Sequence, residues 1–554
     1  MKLLRSIIFL LLVPTLMLSQ SNMPGTGPAQ DTSRIDNRIQ ALQDAIAQQQ
    51  AQIEALRAEL AEQKNTNHAA QVVNASLSTL GTANTTAIQG DVEKPKDSPL
   101  SFRIGAADFT PGGFVDFENI FRSTNTGNVA GTNFWAIPFN NTPAGHLTEF
   151  RSTGQYSRLN LKTHAKFGQN DVTGFIEFDF NGNDATNVFV TSNSHTDRLR
   201  HYWLDLKRGK WEFVGGQAWG LLTANRVGVG PTSADVFTTF NEDGNHQVGN
   251  NFTRAAQFRA GYHFNDHFAW AVALENPQQF AGQGAEVAFP VAFTGATNAI
   301  ASQFDAAATP TTPNVSPDII SKFAYDNEVS GRHFHFELGG LFTAVKITDT
   351  PTVAGSKFIS HSKIGGGIEY GLNFDFLKGS EGKYLRFVTN GLWGPGVGRY
   401  LIGTGPQAVV APVSVAGSTC TSAGNCDLTI SMVHAGNALA GFEFVPHPKA
   451  QFGIYYGGAY FQRNAFPDIT SPAATKPIIG FGGIGAANAG IQNRSIQEVT
   501  IDWTQTLWKN PQYGALLFVT QTSYVTRSPW FAATNTPKNA HLTMGYVSLK
   551  YVLP

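Results

Sequence analysis

The connections between the predicted strands alternate between short and long along the C-terminal part of this 554-residue chain. The short ones are tight polar turns at residues 168–171, 207–210, 265–267, 327–331, 377–383, 446–449 and 509–512. The connections between those turns are long and rich in Gly, Asn, Thr and Pro, as in residues 276–317 and 393–430. Short turns at one end and long loops at the other are typical of a transmembrane β-barrel.

The composition agrees with a chain whose surface is partly covered by lipid. Only 14% of the residues are charged, whereas soluble domains average about 25%. The formal net charge is -1, so the overall charge gives no reason to expect a nucleic-acid partner. We therefore expect outer-membrane lipid to contact this chain, and any charge selectivity to come from where individual charges lie.

Sixteen segments of dyad-patterned residues lie between the connections, which predicts an all-β fold: a 16-stranded antiparallel transmembrane barrel over residues 101–554. A barrel of this size is wide enough for an aqueous channel, and an even strand count puts both ends on the periplasmic side with the short turns. A soluble sandwich array or propeller also has many alternating strands but fits the asymmetry of the connections poorly. The predicted strands are 113–121, 157–167, 172–181, 198–206, 211–218, 255–264, 268–275, 318–326, 332–345, 362–374, 384–392, 431–444, 450–460, 494–507, 513–526 and 540–552.

The alternation also assigns side chains to the lumen. In residues 158–167, Leu159 and Leu161 alternate with Arg158, Asn160 and Lys162. Such a strand places its apolar face towards lipid and its polar face inwards. The inward charged residues predicted in this way are Arg158, Lys162, His164, Lys166, Arg198, Arg200, Arg259 and Lys322, with Glu118, Glu177, Asp179 and Glu337.

Two interpretations of these charges remain open. A ladder of cations in a narrow lumen attracts anions, and the planar guanidinium group suits carboxylates and phosphates. Alternatively, the cations pair with Glu177 and Asp179, and their role is only to keep the lumen surface of the barrel hydrated. The long connection 219–253, between the fifth and sixth strands, is the one placed to fold inwards as a constriction.

The N-terminal region predicts export and oligomerisation. Lys2 and Arg5 precede an apolar run too short to cross a bilayer, which is typical of a signal peptide over residues 1–21. Residues 33–64 then show a heptad pattern, predicting a periplasmic coiled coil, and residues 65–100 read as a flexible linker. The alternative for 33–64 is a lone, frayed helix. The heptad positions are Ile35, Ile39, Leu42, Ile46, Gln49, Ile53, Leu56 and Leu60.

Cys420 and Cys426 lie close together in a long loop, and in an exported protein we expect them to form a disulfide. A metal site there would need two further ligands, and none lies nearby in the sequence. No phosphate-binding loop, zinc motif or dinucleotide fingerprint is present, so we expect no cofactor. His195 and Asp197 lie close to Ser192 and Ser194, but in a hydrophilic loop without a nucleophile motif, so we expect no enzyme.

Several segments resemble the strand motifs of the DcaP-like trimeric outer-membrane porins, in the order signal peptide, coiled coil, linker and 16 strands. The segments are 197–202 (DRLRHY), 215–219 (GGQAW), 274–277 (LENP) and 394–401 (GPGVGRYL). The resemblance implies a homotrimer in the outer membrane that takes up small anionic solutes such as dicarboxylates. It points to Arg198, Arg200 and Arg399 as residues lining the path. The chain departs from the usual pattern of such barrels by ending in Pro554 rather than in an aromatic residue.

Together these patterns predict a porin for passive diffusion of small anionic solutes. A plugged or structural barrel, tethered to the cell envelope by its coiled coil, is the alternative. A barrel enzyme is a third, less favoured one.

Overall fold

The computed structural model describes residues 98–554, except 128–129, 183–194, 232–246, 284–285, 296–298, 306–314, 379–381, 403 and 487–488. The predicted signal peptide, coiled coil and nearly all of the linker therefore lie outside the described residues. Among those that are described, no helix is both long and apolar enough to cross a bilayer. The helical segments are short 3-10 turns, Phe134–Ala136, Pro143–His146, Val291–Phe293, Ile300–Gln303 and Gly398–Tyr400.

Strands make up most of the described chain. They are β1 (Phe102–Ile104), β2 (Ala107–Arg122), β3 (Glu149–Thr153), β4 (Arg158–Phe167), β5 (Asn170–Asp179), β6 (Arg198–Arg208), β7 (Trp211–Trp219), β8 (Arg254–His263), β9 (Phe268–Glu275), β10 (Asp318–Val329), β11 (Arg332–Asp349), β12 (Ile359–Lys378), β13 (Tyr384–Pro395), β14 (Ala408–Ser414), β15 (Cys426–Met432), β16 (His434–His447), β17 (Ala450–Phe461), β18 (Asn464–Pro467), β19 (Ile478–Phe481), β20 (Asn493–Asn510), β21 (Gly514–Pro529) and β22 (Ala540–Val552).

The long strands close into a single antiparallel barrel. Each pairs with the next along the chain, and β22 pairs back onto β2, with Phe114 opposite Val552. Both β3 and β4 pair with β2, so together they form one interrupted wall strand. Hairpins β14–β15 and β18–β19 lie outside the wall, and β1 pairs only with the start of β2. The wall thus has sixteen strands, at the positions that the alternation predicts, which confirms the 16-stranded barrel.

The wall is apolar outside and polar inside, the reverse of a soluble protein. In β20, for example, Val499 and Ile501 are exposed while Glu498, Thr500 and Asp502 are buried. Leaving a row of large apolar side chains in water would be costly, whereas hydrocarbon accepts them. Closure of the sheet also pairs the backbone of every wall strand, as a bilayer requires.

The two ends of the barrel differ as predicted. At one end the strands turn within a few residues, and Gly168, Gly209 and Gly331 adopt positive φ there. Glycine adopts that backbone conformation without steric cost, which allows a tight hairpin. At the other end the long connections carry the two extra hairpins and a disulfide between Cys420 and Cys426.

Candidate functional site

Four arginines, which we call the basic wall, gather on the lumen side of β4, β6 and β8: Arg158, Arg198, Arg200 and Arg254. Arg198 pairs with both Asp179 carboxylate oxygens, with Nη2 to Oδ2 at 2.7 Å. Arg200 bridges Glu177 (Nε to Oε1, 2.9 Å) and Asp179 (Nη1 to Oδ2, 2.8 Å). Four guanidinium groups face two carboxylates, so the cluster keeps a positive excess.

An aromatic ring supports this cluster. The guanidinium carbons of Arg200 and Arg254 lie 5.8 and 5.6 Å from the centre of the Trp219 ring. Cations are attracted to the negative face of an indole, which offsets part of the repulsion between the two arginines. Trp219 ends the GGQAW segment, so that motif contributes the ring on which Arg200 and Arg254 pack.

A β-bulge decides which residues of β6 reach the lumen. The register between β5 and β6 shifts between Glu177 and Phe178, so Glu177 faces His201 while Phe178 faces Leu199. Arg200 and His201, although adjacent, are both buried, whereas strict alternation would turn one of them outwards. The extra residue places two polar side chains at one level of the wall.

We call segment 220–253, between β7 and β8, the inward loop. Its described parts, residues 220–231 and 247–253, fold into the barrel as the length and position of the segment predict, and reach strands far from β7 and β8. The Asn437 side-chain amide donates to Asn250 O (2.7 Å), and the Asn373 amide donates to Asn225 O (3.0 Å). Because these partners lie on β16 and β12, the loop extends towards the wall nearly opposite β6.

Five carboxylates, which we call the acid anchors, hold the inward loop. Four accept hydrogen bonds from its backbone: Glu275 from Leu221 N (2.7 Å), Asp326 from Gly228 N (2.9 Å), Glu337 from Asn225 N (3.2 Å) and Glu498 from Val248 N (2.8 Å). The fifth, Glu443, pairs with Arg226 (Nη1 to Oε2, 2.8 Å). The five contacts come from five different strands, β9, β10, β11, β16 and β20, so they attach the loop to the wall at separate points.

Two glycines let the inward loop lie directly against the wall. Gly249 has a φ of +106°, and an added Cβ would collide with the Ala438 carbonyl. On the facing strand β17, an added Cβ at Gly457 would collide with the carbonyl oxygen of Val248. Both obstacles are backbone atoms, which cannot move aside as a flexible side chain can.

The structure divides the predicted lumen residues into two groups. Lys162, His164, Lys166 and Arg198 are partly or well exposed. His164 and Lys166 pair with Asp171 near the short-turn end, at 2.8 and 3.0 Å. The other predicted residues are buried, and so differ from residues that line an aqueous path: Glu118, Arg158, Glu177, Asp179, Arg200, Arg259, Lys322, Glu337 and Arg399.

Three of the buried cations serve contacts that sequence patterns do not reveal. Arg259 donates to Val229 O (2.7 Å), and Lys322 donates to Thr223 O (3.0 Å), so both hold the inward loop. Arg399 lies in the connection between β13 and β16, where it donates to Asn276 O (3.1 Å) and pairs with Asp318. The prediction that these three face the path is therefore corrected, because loops cover them.

Sequence reasoning missed Arg254 and every acid anchor except Glu337, which alternation assigned to the lumen. Glu443 and Glu498 lie at buried positions of predicted strands, but a periodic pattern cannot pair them with a loop. Arg254 is the first residue of β8, just outside the predicted strand 255–264. His195 and Asp197 lie in the connection between β5 and β6, and Ser192 and Ser194 are outside the described residues.

No protein-family model and no curated protein matches this chain. Among solved structures, it is similar to the outer membrane channel DcaP of Acinetobacter baumannii, with 15% identity and a TM-score of 0.52 over 82% of this chain and 100% of that one.

Two further similar structures have lower TM-scores. Pseudomonas putida OprB has 11% identity and a TM-score of 0.41 over 80% of this chain and 94% of that one. Salmonella typhi OmpF, in complex with daunomycin, has 8% identity and a TM-score of 0.40 over 82% and 100%. At these identities the likeness concerns the fold alone. The resemblance predicted from sequence motifs is confirmed at that level: this chain is a closed 16-stranded antiparallel barrel with the fold of the outer-membrane channel DcaP.

Proposed function

We propose that this chain is an outer-membrane porin through which small anionic solutes, such as dicarboxylates, diffuse passively, and that it acts as a homotrimer without enzymatic activity. The observation that carries the proposal is the unequal exposure of lumen charges. The side chain of Arg198 is 32% exposed, whereas the acid anchors Glu275, Glu337, Glu443 and Glu498 are buried beneath the inward loop. Water in the lumen therefore meets Arg198, the exposed member of the basic wall.

The inward loop is central to this selectivity. It lies over the acidic part of the wall and satisfies the carboxylates with its backbone N–H groups and Arg226. The basic wall stands nearly opposite, across the remaining space. Cations on one side of a passage raise the local concentration of anions beside them. The planar guanidinium of Arg198 suits a passing carboxylate.

The first test is conductance. Purified protein, with its N-terminal region intact, is reconstituted in a planar bilayer under a salt gradient. We expect conductance in three equal steps and an anion-selective reversal potential. A bilayer that stays silent with well-folded protein contradicts the porin proposal and favours the structural barrel tethered by its coiled coil. Deleting residues 34–64 is a second test that separates the porin from the structural barrel. A porin keeps conducting without the coiled coil, whereas a tether loses its function.

We predict that Arg198→Gln moves the reversal potential towards cation selectivity. Removing one charge about 4 Å from a passing ion in water changes its energy by about 1 kcal/mol, which is about fivefold in local anion concentration. The measurement uses low salt, because at about 0.1 M the screening length is already only about 10 Å. Addition of succinate, a dicarboxylate, should interrupt the current of the wild type more than that of the variant.

Arg494→Gln is the matched control for Arg198→Gln. It removes the same charge from an exposed position near the long-loop end of β20, where Arg494 lies over the Trp530 ring. We chose Arg198 rather than Arg200 because Arg200 is 1% exposed between two carboxylates, so its loss would disturb the wall itself. Equal reversal potentials for wild type and Arg198→Gln would contradict the anion proposal while leaving a porin of another selectivity standing.

A further inference from the structure

A three-residue cluster at the long-loop end of the barrel lies apart from the lumen charges. Asp349 is the last residue of β11, His361 lies near the start of β12, and Asp427 lies in β15 of the β14–β15 hairpin. One potential ligand atom from each residue lies within 4.8 Å of the others. The His361 Nε2 atom is 3.1 Å from Asp349 Oδ1 and 3.0 Å from Asp427 Oδ1.

The hydrogen bonds of this cluster leave a buried carboxylate unsatisfied. The side chain of Asp349 is 0% exposed, and among the described residues neither of its oxygens accepts a hydrogen bond. The imidazole Nε2 carries at most one hydrogen, which goes to Asp427 in the hydrogen bond at 3.0 Å. Two carboxylates that converge on one imidazole nitrogen without enough donors leave net negative charge in a confined space. Burying such charge is costly unless a cation balances it.

We propose that Asp349, His361 and Asp427 bind a divalent transition-metal cation, with Zn²⁺ as the best match. An imidazole nitrogen beside carboxylate oxygens suits Zn²⁺, whereas Ca²⁺ and Mg²⁺ prefer sites made of oxygen atoms alone. Three protein ligands leave a fourth, tetrahedral position for water. The side chains of His361 and Asp427 are 22% and 20% exposed, so an ion can enter from solvent.

The position of the cluster gives the cation a structural consequence. Asp349 and His361 belong to the barrel wall, whereas Asp427 belongs to the hairpin within the connection between β13 and β16. That hairpin already contacts the segment after β11, because Thr352 N donates to Cys426 O and Cys426 N donates to Thr352 Oγ1, both at 2.8 Å. The Cys420–Cys426 disulfide restrains the same hairpin. A bound cation adds a link beside these contacts and holds the β14–β15 hairpin against the long-loop end of the barrel wall.

Zn²⁺ binding to the full-length protein in detergent, with any affinity tag removed, tests this proposal by isothermal titration calorimetry. We expect one Zn²⁺ ion per protomer in the wild type and loss of that binding in His361→Ala and in Asp427→Asn. His146→Ala is the matched control, because His146 is exposed in another long connection at the same end. This variant should bind Zn²⁺ as the wild type does. A large excess of Mg²⁺ should not displace the ion.

Hydrogen exchange provides a second readout that does not depend on the calorimetric signal. Zn²⁺ should slow amide exchange in residues 426–432 of the wild type and leave the same residues of Asp427→Asn unchanged. Heat-modifiable migration of each variant on gels establishes that its barrel is folded. If the folded wild type binds no more Zn²⁺ than folded Asp427→Asn, and its hairpin exchanges at the same rate with and without the ion, the proposal is overturned.

Discussion

Gly457→Val is expected to raise the single-channel conductance, because it forces the inward loop away from the wall. An added Cβ at this position on β17 collides with the carbonyl oxygen of Val248, and the two methyl groups of valine extend the conflict. The wall strand is paired on both sides, with β16 and with β20, so it cannot retreat. The loop must move instead, and the hydrogen bond between Val248 N and Glu498 is lost with it.

The expected size of this effect follows from the width of the barrel. A 16-stranded barrel without an inward segment leaves a wide aqueous channel, so its narrowest part limits the current. Freeing one end of the loop should increase conductance by about twofold or more. A truncation that replaces residues 224–249 by a short Gly/Ser linker sets the upper limit, and Gly457→Val should lie between this variant and the wild type.

The neighbouring glycine supplies the matched control. At Gly458, an added Cβ meets the nearest atoms, Ile496 O and Gln497 Cγ, at 3.5 and 3.6 Å, which is ordinary contact. Gly458→Val therefore adds the same side chain one residue along the same strand without touching the inward loop. We expect its conductance to equal that of the wild type. Equal conductance in Gly457→Val and Gly458→Val would show that the loop does not restrict the channel.

Displacement of the loop should also weaken the preference for anions that we propose. The loop covers the acid anchors, so a loop that has moved away exposes Glu443 and Glu498 to the lumen. Two additional carboxylates facing the water offset the positive excess of the basic wall. A conductance that rises while the selectivity for anions falls would connect both properties to one segment.

The barrel was predictable from sequence because the environment imposes a strict alternation on every strand. Lipid outside and polar lumen inside give a period of two, which β4 shows with Leu159 and Leu161 between Arg158, Asn160 and Lys162. The tight turns and long loops then fix the direction of each strand. Those signals are local, so neither depends on knowing what lies across the barrel.

The lumen chemistry was only partly predictable, because it depends on contacts between residues far apart in sequence. Lys322 and Arg259 look like pore-lining cations from alternation alone, but the inward loop covers both. The bulge at Glu177 and Phe178 changes the phase of β6 by one residue, which no periodic pattern reveals. Alternation therefore predicts which side of the wall a side chain occupies, and only the folded loop decides whether water reaches it.

Lys322→Met is expected to produce the largest loss of stability in the barrel. The Nζ atom of Lys322 is fully buried, 2.9 Å from Glu337 Oε1 and 3.7 Å from Glu369 Oε1. Methionine fills a similar volume but carries no charge, so two carboxylates are left facing each other in the wall. Removing one partner of a buried ion pair costs about 3–5 kcal/mol, because the remaining charge stays buried without that partner. Asn225 N and His335 Nε2 still contact Glu337, so we expect a loss near the lower end of this range. Equilibrium unfolding in urea, in detergent or lipid vesicles, measures the change.

The surface pair of Lys166 provides the matched control for this substitution. Lys166 lies 3.0 Å from Asp171, a distance close to that of the Lys322 pair, but its side chain is 65% exposed. Exposed ion pairs contribute about 0–1 kcal/mol, so Lys166→Met should change the free energy of unfolding by at most about 1 kcal/mol. The two variants share the chemical change and a similar pair distance, but Lys322 is buried and also contacts Glu369 and Thr223 O.

A second substitution separates the cost of the orphaned carboxylates from the loss of the lysine itself. Lys322→Met combined with Glu337→Gln removes one of the two facing charges, and the stability should return part of the way towards the wild type. Lys322 also donates to Thr223 O in the inward loop, and this hydrogen bond is absent from both variants. A double variant no more stable than Lys322→Met would therefore assign the loss to the loop contact. If Lys322→Met itself is as stable as Lys166→Met, the lysine is not what holds the carboxylates of β11 and β12 together.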